Sequence, residues 1–340
     1  MAVRLLLHFL KLPLAGRILA MATVTILFFG VTIHIVEPKV FPTIFDGVWW
    51  AIITASTVGF GDFVPVTVEG KLVGIILILV GAGFLSTFFV TLAATTVQTQ
   101  NALNHGKAAY KGKSGHMVIV GWNERSRYVI KQLIKLDPST RIVLIDESLN
   151  EKPIQDVNVH FIQGSADQDN ILIKAGINEA KTIIITADPS VSEVESDMRT
   201  ILQLIAIKGI NPSVYCVVEI LTQRQINNAN RAGADEIIES NSLSGSVMMN
   251  TILNQGISKA LDVMLNQNHG SKVEYRPVPS ELLGQSFNML VQKYYNDEIL
   301  VIGIKKRGET FVNPPFDMKV EYGDELLLIC GHYRSSSSNS

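Results

Sequence analysis

Residues 54–62 read Thr-Ala-Ser-Thr-Val-Gly-Phe-Gly-Asp, and their types and spacing carry a specific piece of chemistry. A cation stripped of its water needs several oxygens at close range, and backbone carbonyls supply them if successive C=O groups point one way. That requires left-handed or otherwise unusual angles at alternate residues, which Gly59 and Gly61 tolerate and residues with a Cβ resist. The Thr57 hydroxyl adds an oxygen at one end. At the other, Asp62 concentrates cations by its charge, or hydrogen-bonds the preceding helix through Trp50. A surface turn uses the same residue types, yet leaves the apolar flanks unexplained.

A second constellation lies further on. Gly121-Trp-Asn-Glu-Arg-Ser126 is a relaxed dinucleotide fingerprint, with Asn123 and Ser126 where glycines are usual. Such loops bring backbone N–H groups and a helix N-terminus to phosphates, while an acidic residue about 20 positions on binds ribose hydroxyls. Asp146 has that context. The mouth of the cleft gathers Gly121, Asn123, Arg125, Ser126, Asp146, Glu147, Ser165, Asp167 and Thr186, all near strand ends. Its ligand is an adenine nucleotide or dinucleotide, NAD(H), ATP or ADP; a domain of this kind also exists that keeps the turn and binds nothing. Cys216 and Cys330 are the only cysteines, each in an apolar run, and give no metal spacing or disulfide framework.

The elements that hold the first constellation are membrane elements. No charged residue occurs in 18–36 or in 72–97, and each run meets the roughly 20-residue length of a bilayer crossing. Residues 43–56, about four helical turns, are too short to cross and end at the glycine loop. They read as a re-entrant helix, whose irregular continuation is tolerated only where it lines a water-filled path. Arg4, Lys11 and Arg17 before the first span, with Lys107, Lys111 and Lys113 after the second, place both ends in the cytoplasm. Residues 1–17 read as an interfacial amphipathic helix, and no cleavage site marks a signal peptide. Gly81 and Gly83 in the second span serve either a hinge or close helix packing.

The second constellation needs a different scaffold. Residues 98–115 are polar, glycine-containing and aperiodic, and read as a linker. Beyond them, short apolar strands at 116–121, 141–146, 159–163, 181–186, 214–219 and 236–239 alternate with helical sequence, which means a parallel doubly wound sheet. Residues 240–265 form one long helix rich in Met, Leu and Ile. The fold class is therefore an α-helical membrane pore module, then an α/β Rossmann-like domain, then a small β-rich lobe. The boundaries are 1–97, linker 98–115, 116–240, helical crossover 241–268 and 269–334, with a Ser-rich disordered tail at 335–340. Composition is 47% hydrophobic with a net charge of -2, which offers no nucleic-acid footprint.

The Thr57–Asp62 stretch resembles a potassium-channel selectivity filter, and together with 116–122, 164–167, 231–235, 283–286, 299–304 and 323–329 the chain resembles the two-transmembrane prokaryotic potassium channels with a cytoplasmic RCK domain of TrkA-N and TrkA-C type. The resemblance implies K⁺ coordinated by carbonyls of Thr57, Val58, Gly59 and Phe60 in a homotetramer, where four loops surround one axis in the lipid bilayer of the cell membrane. Phe60 replaces the commoner Tyr. The resemblance also implies a gating hinge at Gly81, RCK domains paired into an octameric ring, and gating by nucleotides or by Ca²⁺. Glu219 sits where calcium-gated relatives hold the ion, with Asp188 nearby, but Leu221 replaces an expected ligand and a hard cation wants six or more oxygens. A membrane-anchored NAD-binding oxidoreductase would need a catalytic set that the last lobe does not supply. A regulatory subunit of a separate K⁺ transporter would leave the glycine loop without a purpose.

Overall fold

A computed structural model describes residues 14–265, 272–296 and 299–330. The amphipathic helix expected at 1–17 falls largely outside these residues, as does the tail at 335–340. The chain divides into two compact units, at 1–104 and 105–340.

The first unit holds α1 (Leu14–Val36), α2 (Ile44–Ala55) and α3 (Val68–Asn104). Both α1 and α3 are long and apolar enough to cross a membrane, and α2 is the short apolar helix between them. Thr43 starts α2 with a capping box: its hydroxyl accepts from Asp46 N at 3.1 Å and its own N–H donates to the Asp46 carboxylate at 3.0 Å. Phe29, Ile33, Phe41, Trp50, Ala51 and Leu77 form the core where the three helices meet. A buried carboxylate ties the end of α1 to the start of α3. Glu37 accepts from Val66 N at 3.1 Å, Thr67 N at 2.8 Å and the Thr67 hydroxyl, placing negative charge at a helix N-terminus.

The helix α3 has 37 residues, so it rises about 55 Å, well beyond a ~30 Å hydrocarbon core. It therefore runs through 98–104, the first part of the stretch expected as a linker. The remainder, 105–115, is bound to the second unit. Gly106 O accepts from Gln163 N at 3.1 Å, Tyr110 N donates to Lys174 O at 2.8 Å, Gly115 N donates to Glu179 O at 2.7 Å, and Tyr110 lies against His116 with ring centroids 4.4 Å apart. Polar composition here reflects backbone pairing and helix surface, not a free tether.

The second unit opens with a six-stranded parallel sheet in the order β3-β2-β1-β4-β5-β6. The strands are β1 (Met117–Val120), β2 (Ile142–Asp146), β3 (Val159–Gln163), β4 (Thr182–Ile185), β5 (Tyr215–Ile220) and β6 (Glu236–Glu239), with helices α4 (Glu124–Leu136), α5 (Asp169–Ala175), α6 (Glu193–Ile210) and α7 (Ile226–Arg231). β2 is buried at every position, as a strand covered on both faces must be. The helix expected at 240–265 is two helices, α8 (Ser240–Leu253) and α9 (Ile257–Leu265). Asn254 ends the first in extended backbone and Gly256 turns left-handed at φ +90°. The small lobe is an antiparallel sheet β7-β10-β8-β9, formed by β7 (Lys272–Pro277), β8 (Ile299–Lys306), β9 (Glu309–Val312) and β10 (Glu325–Cys330), with α10 (Phe287–Tyr295) packed on it.

Candidate functional site

The glycine loop begins where α2 stops. Thr57, Val58 and Gly59 donate back to Thr54 O and Ile53 O at 3.1–3.2 Å, which fixes the loop to the helix end. Positive φ then alternates with ordinary backbone: Thr57 at +62°, Gly59 at +56° and Gly61 at +76°. No neighbour crowds a Cβ at either glycine, so the need for glycine there is conformational. Thr57 adopts the same region with a β-branched side chain, a strained choice that concentrates at functional sites.

Asp62 accepts from Trp49 Nε1 at 2.8 Å and from Phe63 N at 3.1 Å. The expected partner, Trp50, is instead buried against Phe41, ring centroids 5.4 Å apart. Adjacent residues on a helix point about 100° apart, so only one indole faces the loop. Trp49 also stacks on Phe60 at 6.0 Å, so the ring that replaces Tyr is held by packing. On α3, a Cβ at Gly81 would come 2.8 Å from Ala55 Cβ, whereas Gly83 has open space. Close approach to α2 explains Gly81, and the hinge expected there has a sterically freer candidate in Gly83.

The cleft lies at the carboxyl ends of β1, β2 and β4, where the strand order reverses. It brings together Gly121, Asn123, Asp146, Glu147, Ser165 and Thr186 from the expected set, with Asp188 and the α6 residues Ser196, Arg199, Thr200 and Gln203 opposite. Gly121 is left-handed at φ +89°, and its Cβ would stand 2.8 Å from the Thr186 hydroxyl. Asp146 Oδ2 accepts from Trp122 N at 2.7 Å, and Oδ1 accepts from Ser148 N at 2.9 Å, the Ser148 hydroxyl at 2.7 Å and Leu149 N at 3.0 Å. Arg199 reaches Glu195 at 2.8 Å, Asp188 at 3.1 Å and Glu147 at 3.5 Å. The α6 wall has a sequence signal: 196, 199, 200 and 203 are polar at i, i+3, i+4, i+7, one face of a helix.

Three expected residues stand outside the cleft's lining. Ser126 is fully buried, its hydroxyl bonded to Asn123 N at 2.9 Å. Asp167 is exposed. Arg125 turns to Glu219, its Nε 2.8 Å from Oε1 and 3.0 Å from Oε2. Glu219 also accepts from Ala187 N at 2.8 Å and the Ser240 hydroxyl at 2.5 Å. The carboxylate expected beside Asp188 for Ca²⁺ is thus occupied by a guanidinium, and Asp188 is paired with Arg199. Among the described residues no group of three or more His, Cys, Asp or Glu is placed so that it could hold a metal ion.

The chain matches the family described as "TrkA-N domain" over residues 117–240 and that described as "Ion channel" over 21–98. It is 42% identical over 330 residues to YugO of Bacillus subtilis (strain 168), named as a potassium channel protein, covering 96% of this chain and 99% of YugO. It is 24% identical over 288 residues to the calcium-gated potassium channel TvoK of Thermoplasma volcanium, covering 84% of this chain and 81% of TvoK. Among solved structures, the GsuK channel superposes with a TM-score of 0.53 at 15% identity over 96% of this chain, and its NAD-bound form with a TM-score of 0.50, also at 15% identity, over 93%. The chain spans 58% and 57% of the length of those two structures.

Proposed function

The chain belongs to the prokaryotic potassium channels that carry an RCK domain, and from that premise we propose a tetrameric K⁺-selective pore opened or closed by a nucleotide in the RCK cleft. The observation that carries the pore reading is the alternation of left-handed angles at Thr57, Gly59 and Gly61. That pattern supports a loop whose carbonyls at Thr57, Val58, Gly59 and Phe60 face one side, so that four chains around an axis would complete each oxygen ring. Asp62, held by Trp49, stands just beyond.

The localisation is the cell membrane with both termini cytoplasmic, from the Lys and Arg bias around the spans. The proposed pore module extends through α3 to Asn104. Leu243, Val247, Met248, Ile252 and Leu253 leave an exposed apolar surface on α8, which supports pairing of RCK domains into a ring of eight. NAD in the GsuK structure supports a nucleotide ligand. TvoK's name raises Ca²⁺, but the Arg125–Glu219 pair favours the nucleotide.

Gating follows if ligand binds the open and closed rings with unequal affinity. Residues 105–115 follow α3 directly and are bonded within the sheet domain, so this segment is the proposed route by which the domain acts on the pore. Ion flux from purified protein in liposomes tests the reading. K⁺ flux well above Na⁺ flux is expected; equal fluxes, or none with any nucleotide or Ca²⁺, would overturn it.

A further inference from the structure

The amides of the β1–α4 loop are already spent. Gly121 N donates to Ile145 O at 2.9 Å, Trp122 N to Asp146 Oδ2 at 2.7 Å and Asn123 N to the Ser126 hydroxyl at 2.9 Å. Arg125 N and Ser126 N both donate to Asn123 Oδ1, at 2.9 and 3.0 Å, and Arg127 N donates to Asn123 O at 2.9 Å. The first turn of α4, where a dinucleotide's pyrophosphate would sit, therefore holds the protein's own side chain. Asn123 is anchored at its other end too, its Nδ2 donating to the Thr186 hydroxyl and to Ala187 O, both at 3.0 Å.

Size and charge point the same way. The open cleft measures about 210 Å³, small beside the roughly 300–1,000 Å³ of typical ligand pockets, which favours the smaller members of the nucleotide class. Among the described residues that line it, Arg199 is the one Lys or Arg, paired with Glu147 and Asp188, and Asp146 lines the same cleft. A polyphosphate would bring several more negative charges to an acidic wall, an arrangement that excludes ligands by repulsion.

We infer that the cleft takes a nucleoside or nucleoside monophosphate in preference to a dinucleotide or a triphosphate. The inference rests on the nucleotide reading above and names its ligand class. Ribose hydroxyls lie on the Asp146–Glu147 wall, and the single phosphate exchanges with a carboxylate on the Arg199 guanidinium, whose planar fork suits it.

Calorimetric titration of the full-length protein with adenosine, AMP, ATP and NAD tests this. AMP or adenosine should bind at least about tenfold tighter than NAD and ATP, and Arg199→Gln should weaken AMP about tenfold more than adenosine, the value of one charge-assisted contact. Asn123→Gly, which frees the Arg125 and Ser126 amides, should narrow the gap by strengthening NAD; a thermal melt shows whether this variant has folded, and the unaltered protein decides the matter if it has not. NAD or ATP binding as tightly as AMP would overturn the ligand class while leaving the nucleotide reading in place. Silence with all four would remove both.

Discussion

At the residue scale, the glycine loop depends on backbone angles more than on side chains. Gly59 at φ +56° has open space for a methyl group, so Gly59→Ala adds only conformational cost, about 1–2 kcal/mol per chain, repeated around the ring. The expected outcome is a folded protein with degraded K⁺ over Na⁺ selectivity in bilayer reversal potentials; unaltered selectivity would contradict the carbonyl ring. Two histidines carry a separate expectation. His116, with ring contact to Tyr110, donates from Nε2 to Ala175 O, and His160 donates from Nε2 to Ala108 O. Burial lowers both pKa values, with Lys152 adding to the effect at His160 and Glu179 opposing it at His116. Above the ordinary value of about 6.5 both rings are neutral in folded and unfolded chain. As pH falls through that value the unfolded chain binds protons first, so stability present at pH 8 drains away on acidification. Melting temperature measured at pH 8 and at about pH 5.5 should fall, and fall less in His116→Gln; an equal drop would discount His116. The glycine pattern itself was legible in sequence because glycine takes left-handed angles at least cost, whereas the same angle at Thr57 was not. Which tryptophan met Asp62, and that Asn123 caps α4, were not, since both depend on helix phase.

At the scale of elements, two junctions can be tested separately. Gly81 lets α3 approach the end of α2, and its Cβ would meet Ala55. Gly81→Ala should therefore cost roughly 1–3 kcal/mol by overpacking, seen as a lower melting temperature, while Gly83→Ala should leave stability near the original; the reverse order would contradict the packing assignment. The second junction is Glu219, which joins Arg125 on α4, Ala187 after β4 and Ser240 at the start of α8. It connects the cleft to the helix with the exposed apolar surface. Glu219→Gln keeps the shape and weakens the ion pair, and ligand-dependent flux should diminish more than ligand binding does. Loss of both in proportion would make Glu219 part of the binding site instead. Periodicity disclosed the spans and the six strands, because length and alternation suffice for those. It missed the extension of α3 to Asn104 and the anchoring of 105–115, where polar residues owe their place to hydrogen bonds with a distant part of the chain.

At the scale of the whole molecule, the proposed pore and the proposed ligand site place different demands on assembly: an oxygen ring needs several chains around one axis, whereas the cleft is lined by residues of one chain. The order pore module, connecting segment, α/β fold and small lobe was readable from the amino acids, whereas the polar face at 196, 199, 200 and 203 became recognisable as a wall of the cleft only once the sheet placed β4 beside β1. The most direct measurement is K⁺ and Na⁺ flux from proteoliposomes with and without AMP on the RCK side, comparing the unaltered chain with Asp146→Ala. K⁺-selective flux that changes with AMP in the former and responds less in the latter is the predicted result. Flux that is non-selective, or selective but indifferent to nucleotide, would contradict the account.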